Sequence, residues 1–151
     1  MSLAAGTKAP EFSLAASRGR TVSSAALSGK PYVLYFYPKA DTSGCTKEAQ
    51  AFQALLAQFT ASGAAVIGVS RDPIKALDKF ADKYGLEFPL ASDEAGALTD
   101  AYGVWVEKSM YGRKYMGIER STFVIGPDGK IAKAWPKVKI DGHAEEVLAA
   151  V

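Results

Sequence analysis

The run Tyr32-Val-Leu-Tyr-Phe-Tyr37 constrains this chain more than any other stretch. Six consecutive large residues, five of them β-branched or aromatic, offer no polar face to water. The run is therefore predicted to form a strand buried on both sides, as in a parallel sheet, with Pro38 as its stop. Immediately afterwards the period changes. From Gly44 to about Gln58, the residues Cys45, Ala49, Phe52, Leu56 and Phe59 follow spacings of 4, 3, 4 and 3, which places them on one helical stripe. Thr42 and Ser43 are N-cap candidates just ahead of it, although neither has a Glu or Gln three places on to complete a capping box.

The same alternation continues. Ala65–Val69 reads as a second buried strand. Asp72 and Pro73 read as N-cap and first position of a helix bearing Ile74, Leu77, Ala81 and Tyr84, with Gly85 as its stop. Phe88–Ala91 reads as a short strand and Ala95–Ala101 as a short helix. Val104–Gly117, rich in Lys, Tyr and Gly, reads as a loop. Ser121–Ile125 and Ile131–Trp135 flank the turn sequence Pro127-Asp-Gly-Lys130 as an antiparallel hairpin. Asp141–Val151 closes the chain as a helix, and the first thirty residues read as a short hairpin or edge strand. Strand–helix alternation followed by a hairpin predicts an α/β fold, a central mixed sheet covered on both faces, in one domain spanning residues 1–151.

Composition narrows the function classes. A net charge of +2 on 151 residues, with no basic run longer than two, argues against nucleic acid or an anionic membrane as partner. Met1–Lys8 lacks the charged and then apolar pattern of a signal peptide, and one cysteine makes no intramolecular disulfide. A cytoplasmic, reducing location is the resulting expectation.

The segment Pro38-Lys-Ala-Asp-Thr42-Ser-Gly-Cys45 joins the first long strand to the first long helix, where α/β sheets usually place ligands. A cysteine in the first turn of a helix faces unpaired N–H groups and the positive end of the helix dipole. Thiols so placed can ionise with pKa values lowered to roughly 3.5–7.5, and the thiolate is the nucleophile. Gly44 beside it allows close backbone approach. The plainer reading is a small buried core residue, and Thr42 and Pro38 have plain readings too, as N-cap and strand stop.

Taken together, Pro38, Thr42 and Cys45 form Pro-x-x-x-Thr-x-x-Cys, which resembles the signature of the peroxiredoxins. The wider stretch from Tyr35 to Ala49, and Tyr102 through Gly117-Ile-Glu-Arg120 to Ile125, are similar to the bacterioferritin comigratory protein, or PrxQ, branch. The similarity runs from about Gly6 to Ala149. It implies a thioredoxin-like fold with an N-terminal hairpin extension, and a thiol peroxidase reducing hydrogen peroxide and alkyl hydroperoxides without metal or organic cofactor. In that scheme Cys45 attacks the peroxide and becomes a sulfenic acid. Arg120 stabilises the thiolate and the leaving oxygen, Thr42 orients the peroxide, Pro38 walls off water, and the N–H groups of Gly44 and Cys45 complete the site.

One departure matters. Gln50 and Ala81 stand where members of this branch carry a resolving cysteine, so the resemblance implies a one-cysteine cycle recycled by an outside thiol such as thioredoxin or a glutaredoxin–glutathione system, in a monomer. Considered alone, Arg120 reads as a surface ion-pair residue with Glu119 or Glu48, and Glu48 as an exposed helix-face residue. Trp105, Tyr111 and Tyr115 read either as a partner surface or, the favoured reading, as loop anchors packing on the site. Two rival readings exist: a hydrolase pairing Cys45 with the only histidine, His143, otherwise expected in solvent; and a thioredoxin-like binding or chaperone module with a structural cysteine.

Overall fold

A computed structural model describes residues 2–151. The predicted strand is present as β3 (Tyr32–Phe36), fully buried. It pairs in parallel with β4 (Ala65–Ser70) on one side and antiparallel with β8 (Ser121–Ile125) on the other. Outward from β4 come β5 (Leu90–Ser92), β1 (Ser13–Ala16) and β2 (Arg20–Ser23), and outward from β8 comes β9 (Ile131–Trp135). The resulting seven-stranded mixed sheet has the order β2-β1-β5-β4-β3-β8-β9. Both expected hairpins are therefore present: β1 with β2, and β8 with β9.

The two-residue period of β3 divides the core. Val33, Tyr35 and Tyr37 face α1 (Ser43–Ala54), α2 (Leu56–Ala61), α3 (Ile74–Tyr84) and α5 (His143–Ala149), packing on Phe52, Phe59, Leu77, Phe80 and Val147. Tyr32, Leu34 and Phe36 face the other way, onto Leu98 of α4 (Ala97–Ala101), Tyr102, Phe123 and Ile118. Tyr35 shows how closely the first layer is fitted. Its ring stacks on Phe52 at 4.6 Å between centroids, over Gly68, where an added Cβ would stand 2.9 Å from the phenol. No helix among the described residues is long and apolar enough to cross a membrane.

Four expectations need correction. The helix expected over Gly44–Gln58 breaks at Leu55, whose N–H turns back to the Phe52 carbonyl, and α2 begins at Leu56. Asp72 is not the cap of α3: Pro73 holds that position with extended backbone. The Asp72 carboxylate instead accepts the Ala40 N–H at 2.8 Å and the Ser70 hydroxyl at 2.7 Å, tying the loop after β3 to the end of β4. The segment expected as a loop is a hairpin, β6 (Trp105–Met110) with β7 (Arg113–Ile118), standing apart as a two-stranded sheet. Its two-residue turn, Tyr111-Gly112, has both φ angles positive, the geometry that matches the twist of a tight hairpin. Finally, the short strand is shifted to Leu90–Ser92, and the last two helices are shortened to Ala97–Ala101, whose first turn donates to the Asp93 carboxylate, and His143–Ala149, which Gly142 precedes as N-cap.

Candidate active site

Helix α1 begins at the carboxyl end of β3, after a loop that cannot relax freely. Asp41 has φ 62°, a left-handed conformation that Asp tolerates better than most residues. Its carboxylate accepts the Tyr84 hydroxyl at 2.7 Å and the Lys83 ammonium at 3.0 Å, so the end of α3 holds this turn. The first intrahelical bond of α1 runs from the Thr46 N–H to the Thr42 carbonyl at 2.8 Å. The N–H groups of Ser43, Gly44 and Cys45 therefore precede the helical ladder, surrounding the first turn with donors.

Cys45 is 1% exposed and its sulfur points toward Arg120. The Arg120 Nη2 donates to Cys45 Sγ at 3.3 Å, while Nη1 donates to Glu48 Oε1 at 2.6 Å. One planar guanidinium thus bridges a sulfur and a carboxylate three residues apart on the same helix face. Gly44 makes room for it: a Cβ there would meet Arg120 Nη2 at 3.3 Å and Ile140 at 3.4 Å. On the far side, the Val138 N–H donates to the Arg120 carbonyl and the Ser121 hydroxyl to the carbonyls of Glu119 and Pro136, fixing the bend from which the arginine projects.

Glu48 corrects the expectation of an exposed helix-face residue, since it is 1% exposed. Its second oxygen, Oε2, has no hydrogen-bond partner among the described residues. Burial pushes its pKa up to about 7, against the pull of Arg120. For Arg120 the balance is reversed. Burial works to lower its pKa, but Glu48 and Cys45 together hold it above its ordinary value. The two directions are reconciled by the unpartnered oxygen: the guanidinium meets an acceptor on both sides, whereas only one oxygen of the carboxylate meets a donor. The spacing Cys45–Glu48, i to i+3, was the available signal that both share one face.

Of the remaining candidates, Thr42 sits at the N-cap position but caps nothing. Its hydroxyl donates to the Lys39 carbonyl at 2.8 Å, which leaves its oxygen able to accept a further hydrogen bond. Thr42 and Pro38 are both exposed, on the rim of the loop that leads into α1. His143 overturns the expectation of a solvated residue: it is buried, its Nε2 lies 2.8 Å from Thr122 Oγ1, and Phe52 and Trp135 meet its ring edge-on. Burial lowers its pKa. Tyr111 does not pack on the site, being 98% exposed; Tyr115 is 44% exposed at the edge of a groove shared with Pro38, and Trp105 lies under Arg71.

The family model that matches residues 5–134 is that of the AhpC/TSA family. The peroxiredoxin Bcp of Xanthomonas campestris is 48% identical over 93% of this chain and 88% of its own length. That of Bacillus subtilis is 43% identical over 98% and 94%. A solved structure of the X. campestris bacterioferritin comigratory protein, described in connection with its alkyl peroxide reduction activity, has a TM-score of 0.90 at 46% identity, covering 97% of this chain and 96% of that one. A thioredoxin-like sheet, a cysteine at the start of α1 with an arginine on its sulfur, and relatives matched over nearly their full length agree: the chain belongs to the AhpC/TSA family, in the Bcp or PrxQ branch of the peroxiredoxins, and is a thiol peroxidase.

Proposed function

We propose that the chain reduces hydrogen peroxide and alkyl hydroperoxides through Cys45, in a one-cysteine cycle completed by an external thiol in the cytoplasm. The observation that carries this reading is the Arg120 guanidinium 3.3 Å from the Cys45 sulfur at the start of α1. The cation and the free helix N–H groups both favour negative charge on that sulfur. A hydroperoxide entering past the rim meets a thiolate, a guanidinium and the Thr42 oxygen, which accepts the peroxide O–H.

The sulfur attacks one peroxide oxygen. The S–O bond forms as the O–O bond breaks, and the departing alkoxide or hydroxide, stabilised by Arg120, takes a proton to leave as alcohol or water. Cys45 is left as a sulfenic acid. The chain has a single cysteine, so the next step is attack by an outside thiol, which expels water and forms a mixed disulfide. A second thiol then breaks that bond, releasing Cys45 and an external disulfide. His143 serves no base role in this scheme, because its Nε2 is engaged with Thr122.

Stoichiometric peroxide followed by dimedone and mass spectrometry tests the reading. A single adduct is expected on Cys45, and none in Cys45→Ser. Loss of one charged donor from a buried reaction centre typically costs on the order of 10²–10³ in rate, so Arg120→Ala should slow peroxide consumption by about that factor. Equal rates in the two proteins would remove the arginine from the chemistry. A thiol that reacts no faster than free cysteine would favour the structural-cysteine alternative.

A further inference from the structure

Among the described residues, every exposed large apolar side chain lies on one element. Met110, Tyr111, Tyr115 and Met116 are 56, 98, 44 and 49% exposed, and all belong to the β6–β7 arm or its turn. Because β6 and β7 pair only with each other, the arm also presents two strand edges. Met110 and Tyr115 share one face of the hairpin with Lys108 and Arg113, Met116 lies on the other face, and Tyr111 stands in the turn. Exposed apolar side chains gathered on one projecting hairpin mark a docking feature rather than a packing one. Its root is fixed. The Arg71 guanidinium lies 3.5 Å over the Trp105 ring and is itself held by the Thr99 hydroxyl, the Gly96 carbonyl and the Asp100 carboxylate.

Between the arm and the active-site loop runs a groove of about 350 Å³, lined by Pro38 and Lys39 on one side and by Trp105, Lys108, Tyr115 and Met116 on the other. Its walls are the two segments that carry the site. Pro38 opens the loop that ends at Cys45, and β7 ends two residues before Arg120. The charge is one-sided. Asp72 is occupied by the Ala40 N–H and the Ser70 hydroxyl, Glu107 faces Lys114 at 3.8 Å, and Arg71 pairs with Asp100. Lys39, Lys108 and Arg113 have no carboxylate partner among the described residues.

We propose that this arm and groove are the docking surface for the reductant, a small protein dithiol whose active-site face is apolar with an acidic rim. The proposal rests on the one-cysteine cycle above, which requires such a donor to approach a sulfur that is 1% exposed. Size decides between a protein and a small thiol. A six-residue strand extends about 20 Å, and the apolar residues continue to its tip. A tripeptide thiol fully extended covers at most about 10 Å. The bare lysines and Arg113 select the acidic rim.

The test drives peroxide turnover by the full chain with a bacterial thioredoxin, its reductase and NADPH, and in parallel with dithiothreitol and with glutathione–glutaredoxin. Two variants are compared: the triple Met110→Ser, Tyr111→Ser, Met116→Ser, and the single Lys108→Glu. Each is expected to raise the KM for thioredoxin tenfold or more while dithiothreitol-driven turnover stays within twofold. An unchanged thioredoxin KM in both variants overturns the proposal. So does recycling by glutathione as fast without glutaredoxin as with it, which would make a small thiol the reductant, or a dimer-to-monomer shift of the variants in sedimentation equilibrium, which would make the arm a contact between two copies. A loss of dithiothreitol turnover in Lys108→Glu also overturns it, by placing the arm in the chemistry itself. A parent chain active with dithiothreitol but unresponsive to thioredoxin defeats the docking proposal alone, whereas one inactive with every thiol defeats the peroxidase reading and docking with it.

Discussion

Replacing Glu48 by Gln isolates the titration of a buried carboxylate beside the reactive sulfur. Glu48 has an ordinary pKa of 4.5 in the unfolded chain and about 7 in the folded one, because burial of an oxygen without a donor outweighs the Arg120 contact. A folded-state value above the unfolded one means that the native protein binds the extra proton between these two pH values. Its contribution to stability is then complete below pH 4.5 and is lost as the pH rises through 7. At roughly 1.4 kcal/mol per pH unit, the span from 4.5 to about 7 corresponds to about 3 kcal/mol. Gln has no such titration. Its amide still offers an oxygen to Arg120, and its NH₂ becomes an unpaired donor whose cost does not vary with pH.

The measured quantity is therefore the difference in unfolding free energy between parent and Glu48→Gln, followed from pH 4 to 8.5 by urea titration with Trp105 and Trp135 fluorescence. The advantage of the parent over the variant should shrink by about 3 kcal/mol across that range, most steeply between pH 5 and 7. His143 titrates in both proteins and drops out of the difference. A flat difference would mean that Glu48 titrates at its ordinary value in the folded chain too, with Arg120 fully compensating its burial. A difference that grows with pH would reverse the sign and refute the account of the unpartnered oxygen.

Two other expectations follow from the packing. Gly68→Ala should destabilise the protein by about 1–3 kcal/mol in chemical denaturation, because its Cβ would meet a Tyr35 ring that is fully buried and already stacked on Phe52; unchanged stability would show that the ring has somewhere to move. Burial lowers the His143 pKa, so its stabilising contribution is complete above its ordinary 6.5 and is lost as the pH falls below it. His143→Gln should remove that part of the acid sensitivity without slowing peroxide consumption, and a parallel loss of peroxidase rate would instead implicate the ring in the reaction.

The parts of the fold that were legible in the sequence are those where one period dominates. β3 has no polar face, so its burial on both sides follows from composition alone, and α1 shows its stripe through Cys45, Ala49 and Phe52. The β6–β7 arm was illegible for the opposite reason. Its strands carry Lys, Glu, Ser and Gly without alternation because neither contributes an inner face to the main sheet until Ile118, and its turn uses Tyr at a position where Asn or Asp is the usual signal. Glu48 and His143 misled for a shared reason. Each is a polar residue on a helix, and local composition assigns such residues to water, although His143 stands four residues from the buried Val147 and Glu48 three from Cys45.

The site itself divides along the same line. Its local half, a strand, a turn and a cysteine at a helix start, follows from short-range rules that any eight-residue window displays. Its other half is a cation 75 residues away, and nothing in the neighbourhood of Arg120 distinguishes it from a surface arginine. Only the resemblance singled it out. What makes that arginine unlike the others is the pair of buried acceptors it meets, and the carboxylate among them was invisible until the arginine was in place. A buried charge and its partner are thus defined only together: each, read alone, belongs on the surface, and only the tertiary structure converts two surface residues into one interior pair.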